Sequence, residues 1–161
     1  MKIALIGYGK MGKTIEQLAL EKGHEVVLKI GSRNTDEFTD EAVRRADVCI
    51  EFSTPETAFD NVRRCLQAGV PTVCGTTAWL DRLPEAEQLC LQHHAALLYA
   101  SNFSIGVNLF FRISEFAASL LSKHPQYAVS MEEIHHTQKK DAPSGTAVTL
   151  AEGILASYPN K

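Results

Sequence analysis

Short β-branched runs alternate with segments of helical periodicity, and a glycine triplet follows directly on the first run. Together with glycines that close the helical segments, this pattern predicts an α/β chain built on a doubly wound parallel sheet. The expected strands are Lys2–Ile6, Glu25–Ile30, Asp47–Phe52, Thr72–Cys74 and Ala96–Ala100. Between them, Met11–Lys22, Pro55–Ala68 and Leu83–His94 repeat apolar residues at helical spacing, and Gly23 and Gly69 stand where C-terminal caps belong. From Asn102 onward the rhythm changes. Gly106–Lys123 reads as one long helix with an apolar stripe, followed by a strand at Tyr127–Ile134 and a last helix at Gly145–Ser157. Residues 1–102 are therefore expected to form one doubly wound domain and residues 103–161 the start of a second, α+β domain. The second domain reads as incomplete, because one strand with flanking helices cannot make a sheet.

The chain has 161 residues, of which 45% are apolar, enough for a real core. A net charge of −3 gives no overall field to draw in nucleic acid or an anionic membrane, so an anionic ligand must meet local positive charge. No apolar run reaches the roughly 20 residues of a membrane helix. The opening MKIALIG passes straight into a β-like run without a signal-peptide cleavage site, so the expected setting is cytoplasmic. Cys49, Cys65, Cys74 and Cys90 lie far apart among apolar neighbours, which favours buried free thiols over disulfides or zinc.

Gly7-Tyr8-Gly9-Lys10-Met11-Gly12 is a GxGxxG that leaves a strand and opens a helix. Glycine triplets are common, and a tight turn alone would account for one; the strand-to-helix context turns this one into a dinucleotide motif. Gly7 permits the turn, Gly9 lets backbone amides approach a pyrophosphate, and Gly12 lets helix and strand pack closely. The architecture is thus Rossmann-like. The second strand ends in Ile30-Gly31-Ser32-Arg33, with no carboxylate to take a free ribose 2′-hydroxyl, while Ser32 and Arg33 suit a 2′-phosphate. NADPH is favoured over NADH, unless Asp36 or Glu37 folds back. Two more loops fall at strand ends: Phe52–Glu56, where Thr54 before Pro55 is also a natural helix cap, and Cys74–Thr77, where Gly75 and Thr77 suit contact with the nicotinamide half.

The stretch IHHTQKKDAPSGTA, residues 134–147, crowds two imidazoles and two ammonium groups before a proline-glycine turn. A solvated basic loop is one reading. Proton chemistry is the other: an imidazole can donate near neutral pH, and a lysine such as Lys139 can supply a second proton or pair with a carboxylate. Pro143–Thr146 then starts a helix whose first amides and Thr146 hydroxyl make a carboxylate pocket. A metal site has little support, because adjacent histidines rarely chelate one ion and no third ligand stands at useful spacing.

Gly7–Gly12, CGTT at Cys74–Thr77, SNFSIGVN at Ser101–Asn108 and above all EIHHTQKKDAPSGTA at Glu133–Ala147 resemble the dihydrodipicolinate reductase family along the whole chain. The resemblance implies an NAD(P)H-dependent oxidoreductase of lysine and diaminopimelate biosynthesis that reduces 4-hydroxy-tetrahydrodipicolinate, a small cyclic dicarboxylate. It implies His135 as proton donor and Lys139 as second proton donor. It further implies His136, Lys139, Gly145 and Thr146 as contacts to the dicarboxylate. Cofactor contacts are implied at Gly7, Tyr8, Gly9, Lys10 and Met11, at Gly75, Thr76 and Thr77, and at Ala100, Ser101, Asn102 and Phe103. Two departures stand out. The family commonly has an acid where Gly31-Ser32-Arg33 stands, and its members run well beyond this length, with strands that complete the substrate domain and form a homotetramer. The rival readings are a nucleotide-binding module without activity and another NAD(P)-dependent amino-acid or semialdehyde dehydrogenase.

Overall fold

The computed structural model describes residues 1–135, 137 and 142–158. They fall into two compact units, Met1–Ala100 and Ser101–Lys161.

The first unit is a five-stranded sheet flanked by helices. Its strands are β1 (Lys2–Ile6), β2 (Glu25–Ile30), β3 (Val48–Glu51), β4 (Thr72–Cys74) and β5 (Leu97–Tyr99). Their order is β2-β1-β3-β4-β5, and every pairing is parallel. The helices are α1 (Lys10–Glu21), α2 (Asp40–Val43), α3 (Pro55–Gln67) and α4 (Leu83–His93). Parallel neighbours need crossovers, and side-chain alternation along β1 shows how both sheet faces are covered. Ile3 and Leu5 point to one face and pack with Ala19 and Ile15 of α1. Ala4 and Ile6 point to the other, against Val43 of α2 and Cys65 of α3. A third cluster joins Phe59, Val62 and Leu66 of α3 to Cys74, Trp79 and Ala86. Full burial of a Val, Leu, Ile or Phe side chain contributes roughly 1.5–3 kcal/mol.

The five strands and three long helices expected in residues 1–102 are all present, with ends that differ by at most one residue. Gly23 and Gly69 take positive φ (75° and 77°) after α1 and α3, as their C-terminal positions require. Elements absent from the sequence reading are the one-turn helix α2 and two 3₁₀ turns, Thr35–Glu37 and Leu80–Arg82. They are too short for periodicity to reveal.

The second unit holds α5 (Ile105–Leu121) and α6 (Gly145–Leu155), which pack on each other. Ser104 caps α5 and Ser144 caps α6, each hydroxyl accepting a backbone N–H one turn on. The expected strand at Tyr127–Ile134 is not formed; these residues have no regular structure. Its alternating pattern is real, but a strand exists by ladder hydrogen bonds, and among the described residues of this unit there is none beside it to pair with. His135 therefore does not sit at a strand end. Among the described residues, no helix is long and apolar enough to cross a membrane.

Candidate functional site

In an open parallel sheet, ligands collect beyond the carboxyl ends of the strands, where the winding reverses. Here that point lies between β1 and β3, and a cavity of about 580 Å³ opens there. Gly7, Tyr8 and Gly9 line it from β1, Gly31, Ser32 and Thr35 from β2, and Ser53, Thr54 and Asn61 from β3 and α3. The strand ladder carries on into these loops: Gly7 and Tyr8 N–H groups donate to Ile30 O at 2.9 and 2.8 Å, and Phe52 N–H donates to Ile6 O at 2.8 Å.

Each glycine of the triplet is needed for its own reason. Gly7 has φ 94°, and a Cβ there would run into the Phe52 carbonyl. A Cβ on Gly12 would sit 2.6 Å from Gly7 O, so Gly12 is what lets α1 start against the turn. Gly9 lines the cavity, and a Cβ there meets nothing within 4 Å; what it preserves is approach to the cavity, not packing. A cradle that side chains would fill, at the start of a twelve-residue helix, fits the pyrophosphate of a dinucleotide. Lys10 and Met11 are exposed in the first turn of α1. The Tyr8 hydroxyl donates to Glu16, which also pairs with Lys29 at 3.1 Å. Those two hydrogen bonds hold the Glu16 carboxyl below its usual range, and the bond to Glu16 pushes the Tyr8 phenol up.

The cavity carries two cations that sequence reading did not single out. Arg63 and Arg64 line the cavity against one carboxylate, Asp60. Arg63 pairs with Asp60 at 2.9 Å. The Arg64 guanidinium donates to the Phe38 carbonyl and stands 5.1 Å from the Phe38 ring centroid. Their signal lay in α3, but periodicity does not say which neighbour the polar side of a helix meets. Ser32 and Thr35 line the cavity, while Arg33 is exposed and lies outside its lining.

Beneath the β3 and β4 loops lies Glu51, fully buried. Its carboxylate accepts from Ser53 N–H at 3.0 Å, from the Ser53 hydroxyl, from Asn61 at 3.4 Å and from the Cys74 thiol at 3.1 Å. Burial and then the Glu51 charge push the Cys74 thiol well above the usual thiol range. Thr76 is buried, and its hydroxyl also accepts from Ser53 N–H, at 2.8 Å. Gly75 is a contact point for the Phe52 ring, which any Cβ would strike. The Phe52–Thr54 and Gly75–Thr77 loops are thereby tied into one rim. Ala100 N–H closes the β5 side on Cys74 O at 3.3 Å.

In the second unit the structure brings together residues far apart in sequence. Asn102 Nδ2 donates to Thr146 Oγ1 at 3.3 Å, while Asn102 Oδ1 accepts from Ser104 N–H at 2.8 Å, which sets the amide's orientation. With its oxygen accepting from Asn102, the Thr146 hydroxyl keeps its proton for another acceptor. Ser101 and Thr149 hydroxyls meet at 2.9 Å. Phe103 is exposed, and Gly145 is the first residue of α6. His135 is partly exposed, with Nδ1 3.5 Å from Glu133 Oε2. His136 and Lys139 lie outside the described residues.

The family description "Dihydrodipicolinate reductase, N-terminus" matches residues 1–103, and "Dihydrodipicolinate reductase, C-terminus" matches residues 106–161. A 4-hydroxy-tetrahydrodipicolinate reductase of Christiangramia forsetii is 44% identical over 159 residues, covering 96% of this chain and 64% of that protein. One from Staphylococcus haemolyticus is 38% identical over 162 residues, with the same coverage of both chains. The solved structure of a dipicolinate-bound dihydrodipicolinate reductase from Paenisporosarcina sp. TG-14 superposes with a TM-score of 0.74 at 26% identity, over all of this chain and 68% of that one. The chain thus spans a little under two thirds of the length of the relatives it matches. With both family halves matched and the fold shared, the chain belongs to the dihydrodipicolinate reductase family.

Proposed function

We propose that this chain carries the cofactor site and the proton-donating residues of an NAD(P)H-dependent reductase that converts 4-hydroxy-tetrahydrodipicolinate to tetrahydrodipicolinate in lysine and diaminopimelate biosynthesis. The observation that carries the reading is the presence, in one chain of this family, of the glycine cradle at Gly7–Gly12, of Thr146 in the first turn of α6, and of His135 next to Glu133, whose carboxylate accepts from Ser144 at the cap of that helix. The reading draws the functional boundary at residues 102 and 103, and sets the full-length enzyme in the cytoplasm as a homotetramer.

When bound, the reduced nicotinamide supplies the hydride. The chain's own groups bind, orient and protonate. The amides around Gly9 and the start of α1 hold the pyrophosphate; Gly75, Thr76 and Thr77 of the first unit serve the nicotinamide half, as do the family-matched residues Ala100, Ser101, Asn102 and Phe103. NADPH is the preferred cofactor: Ser32, Arg33 and Arg64 offer a 2′-phosphate hydroxyl and guanidinium donors, and Gly31 stands where an acid would repel it. Dipicolinate is the bound ligand named for the Paenisporosarcina sp. TG-14 relative, which supports a dicarboxylate ligand for Thr146, Gly145, His136 and Lys139. The 4-hydroxyl leaves as water, taking up a ring proton, to give the unsaturated ring; His135 then gives its proton to the ring carbon next to the one that receives the hydride, and Lys139 is the second proton source.

The test is His135→Gln in the full chain, following loss of NADPH absorbance with freshly generated substrate, and NADPH and NADH binding alongside. General acid help is worth ~10²–10⁴-fold, so turnover should fall by that order while NADPH affinity stays unchanged. Turnover equal to the parent's removes His135 from the proton step. Cofactor binding without any oxidation by the parent chain favours the inactive-module reading.

A further inference from the structure

His135 and the start of α6 are the two functional halves of the second unit, and a third residue, Glu133, touches both. Glu133 Oε1 accepts from Ser144 N–H at 2.9 Å, and Oε2 accepts from the Ser144 hydroxyl at 2.7 Å. That leaves the Ser144 oxygen to accept from Ala147 N–H at 3.0 Å, which caps the helix. The same Oε2 stands 3.5 Å from His135 Nδ1. Ser144 is 4% exposed, so these bonds are shielded from competing water.

We infer that Glu133 is a positioning residue: one carboxylate orients the His135 imidazole and fixes the first turn of α6, so that proton donor and carboxylate cradle are set by a single group. The inference rests on the proposed function for what those two parts do. Three facts carry it. Residues 128–135 have no regular structure, so no ladder places His135. Glu133 and Ser144 are eleven residues apart, so their pair ties the stretch that carries His135 to the start of α6. And the job needs a carboxylate: it is acceptor-only, with lone pairs enough for an N–H, an O–H and an imidazole N–H at once. A glutamine offers one acceptor oxygen and an amide whose protons would face a donor. An Nδ1–H turned to Glu133 leaves Nε2 as the nitrogen that serves the substrate. At 3.5 Å the contact is electrostatic and not yet a hydrogen bond; such contacts in unliganded sites commonly tighten in the complex.

The experiment compares Glu133→Gln, Glu133→Asp and Ser144→Ala in the full chain. The ring nitrogens of ¹⁵N-labelled His135 report the tautomer of the neutral imidazole without substrate. The parent should show the Nδ1–H form, Glu133→Gln should lose it, and Ser144→Ala should keep it. In kinetics, Glu133→Gln should lower kcat on the order of 10²-fold and raise the substrate KM while leaving the NADPH KM unchanged. Ser144→Ala should raise the substrate KM with kcat nearly intact, and Glu133→Asp should recover part of the lost kcat. An unchanged tautomer in Glu133→Gln overturns the inference, as does an NADPH KM that rises along with the substrate KM. If Glu133→Gln does not fold, a parent imidazole in the Nε2–H form overturns it on its own. The tautomer readout is independent of turnover, so a His135→Gln variant of normal activity would sink the proposed chemistry and leave the Glu133 contact separately testable.

Discussion

The two units solve the problem of burial differently. In the first, Leu5, Ile6, Val43, Val62 and Leu66 are less than 2% exposed, and a carboxylate, Glu51, is buried with all its bonds made inside the unit. In the second, the buried apolar residues among those described are Phe111, Ala118 and Ala147, while Ile105 (79%), Ile113 (66%), Phe116 (66%) and Ile134 (85%) face outward. A parallel sheet exists only when helices cover it, so a chain that forms one has already closed a core. A pair of helices can pack along one stripe and leave the rest of an apolar surface open. The difference teaches where geometry is prebuilt: the cavity between β1 and β3 stands on a finished scaffold, whereas His135 is placed by a side-chain contact to Glu133.

The strongest way to break this contrast is core truncation. Leu66→Ala removes a fully buried side chain from α3 and should cost roughly 2–5 kcal/mol in denaturant unfolding of the first unit; a cost near zero would mean the core is looser than its burial indicates. Next comes Gly7→Ala, which sets a Cβ against the Phe52 carbonyl at φ 94° and should cost roughly 1–3 kcal/mol and weaken NADPH binding by titration. Gly23 has φ 75° but open space around it, so Gly23→Ala should destabilise without touching NADPH affinity. The smallest effect belongs to the second unit: Ile113→Ser should change stability by less than about 0.5 kcal/mol, yet reduce binding of a hydrophobic dye. A large loss there would show that α5 is more fully covered in solution than its 66% exposure implies.

The cofactor motif was legible because its requirements are local. Gly7, Gly9 and Gly12 act through backbone geometry that a few neighbouring residues dictate, and the structure shows two of them against backbone carbonyls and the third against open space. The Tyr127–Ile134 segment was misread for the opposite reason: alternation is local, but strand pairing is not. Arg64 went unnoticed because its neighbour Phe38 comes from another part of the chain. Glu51 and Glu133 were invisible as organisers, since a carboxylate inside a strand or before a histidine has no local signature of what it will bind.

By itself, then, the amino-acid order determined the alternating strands and helices, the glycine turn and the chemical inventory of residues 134–147, because propensity, periodicity and capping act over a few residues. Only the tertiary structure decided the strand order that opens the cavity between β1 and β3, the arginines that line it, and the partners of Glu51 and Glu133. These are contacts across long loops, and which side chains meet there depends on how the chain closes on itself rather than on any nearby run of residues.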